Sequence, residues 1–204
     1  MKRAVLIVLL LAATAPGNGL EAQTRARTPD DYDEVFRKYS KRFFGPGFDW
    51  QYFKAQGMAE SNLVPSARSR VGATGLMQLM PSTYKAIQTN NPELKAIDDP
   101  ESNIAAGIMY NRDLWRRYED HTEEERLRFM FGGYNAGPGT MRRAKTVARS
   151  EQLDEFRWQS VQSVAPRVQR WRYRETLFYV ARIEDIHKTL RTQPARVNRA
   201  GPTR

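Results

Sequence analysis

The sequence predicts a mainly α-helical single domain, and three observations carry that expectation. Apolar residues recur at helical spacing almost from end to end, and strand-like alternation is scarce. The length of 204 residues, 40% hydrophobic and 27% charged, suits one globular unit. Cysteine is absent. That excludes disulfide staples, thiolate metal sites, iron–sulfur clusters, cysteine nucleophiles and a lipoprotein cysteine, so stability has to come from an apolar core.

The elements follow in chain order. Met1-Lys2-Arg3, an apolar run over 4–13 and small residues up to Ala22 have the layout of a secretory signal peptide. Cleavage is expected near Ala22-Gln23. The run is too short to span a bilayer comfortably, and a buried N-terminal helix is the alternative. An N-terminal helical segment is expected over 23–48, where Thr28-Pro29-Asp30 makes a capped start before Tyr32, Val35, Phe36, Tyr39 and Phe43. The main domain is expected over 49–190. Trp50, Phe53, Gly57 and Met58 mark a second helix running toward Glu60. The loop over 62–74 is the one place with room for a very small β-hairpin. Asp99-Pro100 opens a third helix, with Ile104, Ile108, Asn111, Trp115 and Tyr118 along one side. Thr122 and Glu125 form a capping box for a fourth, which carries Leu127, Met130 and Phe131. A last helix over 175–190 carries Leu177, Val180, Ile183, His187 and Leu190. Residues 191–204 hold four Arg, two Pro, no acid and no aromatic, and read as a basic, disordered tail. No internal repeat is visible.

The formal charge is +10, from 25 Arg and 8 Lys against 23 acids. Loss of residues 1–22 removes Lys2, Arg3 and Glu21 and leaves +9. Such a charge suits nucleic acid or an anionic surface, but the basic residues are dispersed and no nucleic-acid motif is present, so no nucleic-acid partner is expected. A Gly-x-Ser-x-Gly elbow and a Walker loop are both missing. His121 and His187 have no carboxylate or second histidine at metalloprotease spacing and read as surface or core-edge residues. No metal and no cofactor are expected.

Three blocks remain. The first is Glu60-Ser61-Asn62-Leu63-Val64-Pro65 with Ser69 and Gly72-Ala73-Thr74-Gly75-Leu76-Met77-Gln78-Leu79-Met80-Pro81. The second is Gly133-Tyr134-Asn135-Ala136-Gly137-Pro138-Gly139, and the third Glu175-Thr176-Leu177-Phe178-Tyr179-Val180. Glu60 falls at the end of a helix, where the macrodipole disfavours a negative charge, and Met58, Leu63, Met77 and Met80 offer apolar surroundings. Both effects raise a carboxyl pKa, and a glutamic acid still protonated near neutral pH can donate to a leaving glycosidic oxygen. No second acid is evident in the block.

In order and spacing these blocks resemble the catalytic domain of the soluble lytic transglycosylases, over about two thirds of the chain from Gln51 to Ile186. The resemblance implies a lysozyme-like fold and non-hydrolytic cleavage of peptidoglycan between N-acetylmuramic acid and N-acetylglucosamine. In that family one glutamate acts as acid and then as base, and the muramic acid C6 hydroxyl attacks its own C1, leaving a 1,6-anhydro end. That intramolecular attack gains the effective molarity of a held nucleophile. Carried over by position, Glu60 is the catalytic group and Ser69, Gln78, Met80 and Tyr134 contact substrate. Ser61, Asn135 and Glu175 support them, Glu175 by holding the active-site helix and its polar network, and the family tyrosine matching Tyr134 lies close to the carboxyl.

Three positions depart from the family pattern: Val64 where Asn usually precedes the proline, Arg70 for a common proline, and Gly133 for a usual alanine. The stretch 141–172 matches no family block, and reads either as a lid or substrate wall or as an extra helix pair. The resemblance further implies an exported, periplasmic or secreted enzyme acting on glycan strands, with no membrane anchor once the leader is removed. A lysozyme-type hydrolase and a catalytically weak wall-binding scaffold are the alternatives.

Overall fold

The computed structural model describes residues 29–192, so the leader expected over 1–22 and the tail from 193 onward lie outside the described residues. A 3-10 turn at Pro29–Tyr32 leads into α1 (Asp33–Phe44), followed by α2 (Gln51–Ser61), α3 (Pro81–Asn90) and α4 (Pro100–Arg117). Then come α5 (Glu123–Ala136), α6 (Pro138–Ser150), α7 (Trp158–Val164), a second 3-10 turn at Ala165–Arg167, and α8 (Tyr173–Thr192). The final helix runs two residues past the boundary expected for the tail. No described helix is long and apolar enough to cross a membrane.

The long α4 forms the centre of the core. Its Ile104, Ala105, Ala106, Ile108 and Leu114 are fully buried and face Phe36, Phe53, Met77, Phe129 and Met130 within one continuous cluster. Two signals position this helix. Asp99 accepts a hydrogen bond from the Ser102 backbone N–H (2.9 Å), and Pro100 sits in the first turn, where its missing N–H costs nothing. α2 lies along α8, α1 along α4, and α5 against α4, α6 and α8. A buried ion pair between Lys54 and Asp33 (2.6 Å) ties α2 to α1.

The capping box expected at α5 is only half formed. Thr122 Oγ1 accepts from the Glu125 N–H (3.4 Å), but the Glu125 carboxylate does not return the bond. It accepts instead from the backbone N–H of Trp158 (2.6 Å), an orphan donor at the start of α7, and pairs with Arg157 and Arg128. A carboxylate shared with a distant helix gains more there than at its own terminus.

The room for a hairpin near 62–74 resolves into two isolated antiparallel bridges, Arg68 with Thr74 and Thr74 with Leu79, and no sheet forms among the described residues. The segment 141–172 holds most of α6 and all of α7, with α6 packed on α5 and α7 on α6. α6 buries a narrow face of Thr140, Met141, Ala144 and Ala148. α3 buries only Tyr84, whose hydroxyl donates to the Lys95 carbonyl (2.8 Å) and closes the loop ahead of α4.

Candidate active site

Glu60 stands one residue before the end of α2. The chain reverses immediately after it, with Asn62 (φ 54°) and Leu63 (φ 58°) both left-handed. Asn tolerates that region and Leu does not, so Leu63 is held there by tertiary packing. Its side chain lies over Gly57, where an added Cβ would come within 2.7 Å of it. A glycine one turn before Glu60 therefore lets the loop fold back over the helix end.

The returning loop, 62–80, is fixed at Leu76 and Met77 from three elements. Ser61 Oγ donates to the Leu76 carbonyl (2.8 Å) from α2, and Tyr134 Oη donates to the Met77 carbonyl (2.8 Å) from α5. From α4 the buried Asn103 accepts from the Met77 N–H (2.8 Å) and donates to the Thr74 and Ile97 carbonyls (3.0 and 2.8 Å). Gly75 (φ 82°) passes so close that an added Cβ would lie 2.4 Å from Asn103 Nδ2. Gln78, also left-handed (φ 45°), donates to the Ala67 and Gly75 carbonyls. Ser69 Oγ accepts from the Ala73 N–H (3.0 Å), and Met80 is 40% exposed at the start of α3.

Thus Ser61, Ser69, Gln78 and Met80 all belong to one loop or its ends, the loop that follows Glu60 in the chain. Asn135 accepts from Thr176 Oγ1 (2.8 Å), which in turn accepts from Trp171 Nε1 (2.9 Å), so it ties α5 to the first turn of α8. Tyr134 lies near enough to Glu60 for the two to interact electrostatically. The tyrosine that hydrogen-bonds Glu60 is Tyr179, whose hydroxyl donates to Glu60 Oε1 (2.5 Å), while Tyr134 donates to Met77. Glu175 is exposed and pairs with Arg172 (3.2 Å); the buried bonds in that turn are made by its neighbour Thr176. The site position of Tyr179 follows from the tertiary packing of α8 on α2, which no local spacing announces.

Burial is the largest influence on Glu60 and pushes its carboxyl up to about 7 from the ordinary 4.5. The Tyr179 hydrogen bond and the Arg182 charge pull it down, and the Glu175 charge adds a smaller upward push. Tyr134 and Tyr179 are themselves held far above the usual tyrosine range by burial first, then by Glu60, so both remain neutral donors. A single enclosed carboxyl poised near neutrality can give up a proton and take it back at one pH. The cavity between α5, α7 and α8, lined by Glu125, Arg128, Trp158 and Leu177, does not include this carboxyl. Among the described residues no three His, Asp or Glu side chains gather in a metal-holding group.

Residues 35–156 match the family model described as the transglycosylase SLT domain. The chain belongs to this family. Among curated relatives, the membrane-bound lytic murein transglycosylase F of Desulfosudis oleivorans is 38% identical over 141 residues, which is 67% of this chain and 29% of that protein. The protein of the same name from Shewanella pealeana is 32% identical over 149 residues, 72% of this chain and 29% of its own length. This SLT chain therefore spans less than a third of the curated relatives it matches. Among solved structures, the 70 kDa soluble lytic transglycosylase of Escherichia coli superposes with a TM-score of 0.61 at 24% identity, over 79% of this chain and 25% of that one. The shared architecture is the mainly helical, lysozyme-like fold.

Proposed function

We propose that this SLT chain is a peptidoglycan lytic transglycosylase that breaks the β-1,4 bond between N-acetylmuramic acid and N-acetylglucosamine without water, with Glu60 as acid and then base. The observation that carries the reading is a single enclosed glutamic acid, raised to about 7, at the end of a helix. Protonated, Glu60 donates to the departing oxygen; as a carboxylate it then accepts the C6 hydroxyl proton, so that hydroxyl attacks C1. The carboxylate acting on it, Glu175, is exposed and paired with Arg172, which supports one-carboxylate chemistry over the two-carboxylate scheme.

Ser69, Gln78 and Met80 line the loop side of the groove in this reading, and Tyr134 closes it from α5. Ser61, Asn135 and Glu175 support them. The protein acts outside the cytoplasm on glycan strands, after loss of residues 1–22, without a metal or cofactor and without a nucleic-acid partner. The names of the curated relatives, lytic murein transglycosylases, support the same substrate class.

Digestion of purified peptidoglycan in heavy-oxygen water tests the reaction. The expected products carry 1,6-anhydro ends free of label, and Glu60→Gln yields none. Labelled reducing ends would assign a lysozyme-type hydrolase instead. Failure of the wild-type chain to release any glycan, with Glu60→Gln indistinguishable from it, would leave a wall-binding scaffold.

A further inference from the structure

Behind Glu60 a chain of hydrogen bonds crosses three helices through the core. Asn111 Nδ2 on α4 donates to Gln56 Oε1 on α2 (2.6 Å). Gln56 Nε2 donates to the hydroxyl of Tyr179 on α8 (3.1 Å), and that hydroxyl donates to Glu60 Oε1 (2.5 Å). Gln56 and Asn111 are both fully buried, at 0% exposure. Two carboxamides in such a place cost free energy that an apolar pair would not, and Asn111 Oδ1 is left buried without a hydrogen-bond partner. Packing alone does not explain them. Their consequence lies at the far end of the chain of bonds.

A phenol has one proton and can accept as well as donate. Once Gln56 presents an N–H to the Tyr179 oxygen, the Tyr179 proton is directed away from Gln56 and toward Glu60. With Asn111 Nδ2 donating to it, the Gln56 oxygen is engaged on the α4 side and the Gln56 N–H is the end that faces Tyr179. We propose that Gln56 and Asn111 are positioning residues that commit the Tyr179 hydroxyl proton to the Glu60 carboxyl. Bonds aligned donor to acceptor polarise one another, so the last bond is strengthened by the two behind it.

The direction of the effect follows. Tyr179 favours the carboxylate form of Glu60 and opposes the effect of burial. The other groups facing this carboxyl are Arg182, which also favours the carboxylate, and Glu175, which opposes it, both on α8. Tyr134 faces it from α5, bonded to Met77 and ringed against Tyr110 of α4. None of these donates to Tyr179, so the relay has a contribution of its own. It keeps Glu60 near the middle of its range, where the same carboxyl can serve as acid and as base. This deepens the acid–base reading of Glu60 and rests on it for its catalytic meaning, although the titration itself does not.

The test is a carbon-13 NMR titration of the Glu60 carboxyl in the full chain, assigned by its loss in Glu60→Gln. Replacing the pair together, Gln56→Met with Asn111→Leu, removes both carboxamides without stranding either. The Glu60 midpoint is expected to rise by about half a pH unit in the pair variant and by about one in Tyr179→Phe. Adding the pair to Tyr179→Phe should move it no further, since the relay acts only through that hydroxyl. The alkaline limb of glycan cleavage should shift with the midpoint. An unchanged midpoint overturns the proposal. So does a fall, which would mean that Gln56 offers its carbonyl and draws the proton away from Glu60. The wild-type chain provides a check that needs no variant: the Gln56 side-chain amide protons should give nuclear Overhauser contacts to the Tyr179 ring, and contacts only to Asn111 would overturn it. A midpoint that rises in a chain unable to cleave glycan would sink the transglycosylase reading and leave the relay standing.

Discussion

The proposed role of Glu60 sets two opposing requirements, enclosure enough to hold a proton and access enough to deliver it. Its position at the end of α2, under a loop that folds back over Gly57, satisfies both. Replacing it by Gln keeps the shape and removes the proton, so glycan release should fall at least ~10²–10⁴-fold in a turbidity or product assay. Stability should move the other way. Between the ordinary 4.5 and about 7 the unfolded chain has already released a proton that the folded chain retains, so stability falls as pH rises through that window. The penalty is absent below about pH 4.5 and complete above about pH 7, where it reaches roughly 3 kcal/mol. Thermal unfolding of Glu60→Gln should match wild type at pH 4.5 and exceed it by about 6 to 12 °C at pH 8. A gap that does not widen with pH would show that the carboxyl is not held up by burial.

At the scale of elements, the loop 62–80 is shaped by what it touches more than by its own turns. Asn103 binds three backbone groups of the segments around it, and all of them are left without that partner in Asn103→Ala. The Thr74 carbonyl keeps the Leu79 N–H (3.1 Å), so two groups are stranded. At about 1–3 kcal/mol each, this variant should lose about 2–6 kcal/mol in denaturant unfolding, with m unchanged. Gly75→Ala combines a left-handed backbone with a contact of 2.4 Å to Asn103 Nδ2, and should lower both unfolding midpoint and glycan cleavage. A wild-type midpoint in either variant would contradict the anchoring. Element legibility followed the same logic. α1, α4, α5 and α8 were readable because each buries apolar residues at helical spacing, helped by a capped start at α4 and α5. α3 buries one tyrosine and so carries no apolar stripe, while α6 buries a one-sided face of Thr140, Met141, Ala144 and Ala148 in which one residue is large and apolar. The hairpin expectation failed for a related reason: the loop satisfies its backbone groups through Ser61, Tyr134 and Asn103, and only two bridges remain for the chain to pair with itself.

For the whole molecule, charge and fold answer separate questions. The excess of 33 cations over 23 acids, mostly Arg, gives a field that attracts an anionic polymer without selecting a bond in it. Binding to intact cell-wall sacculi, followed by sedimentation, should therefore weaken steadily between 0.05 and 1 M salt as the screening length falls from above 10 Å to about 3 Å. Salt-independent binding would assign retention to the groove alone.

Residue identity and local spacing were sufficient for the helical class and for the family, and they single out Glu60 as the candidate acid, because a helix end, a glycine one turn earlier and an apolar loop leave their marks within some twenty neighbouring residues. The partner of that carboxyl was decided elsewhere. Tyr179 lies 119 positions from Glu60, and Gln56 meets Asn111 across 55. No periodicity links such positions; they meet because α2 and α4 bury their apolar faces in one core and α8 closes over it. The sequence could therefore name the candidate acid, while packing chose the hydroxyl that bonds to it.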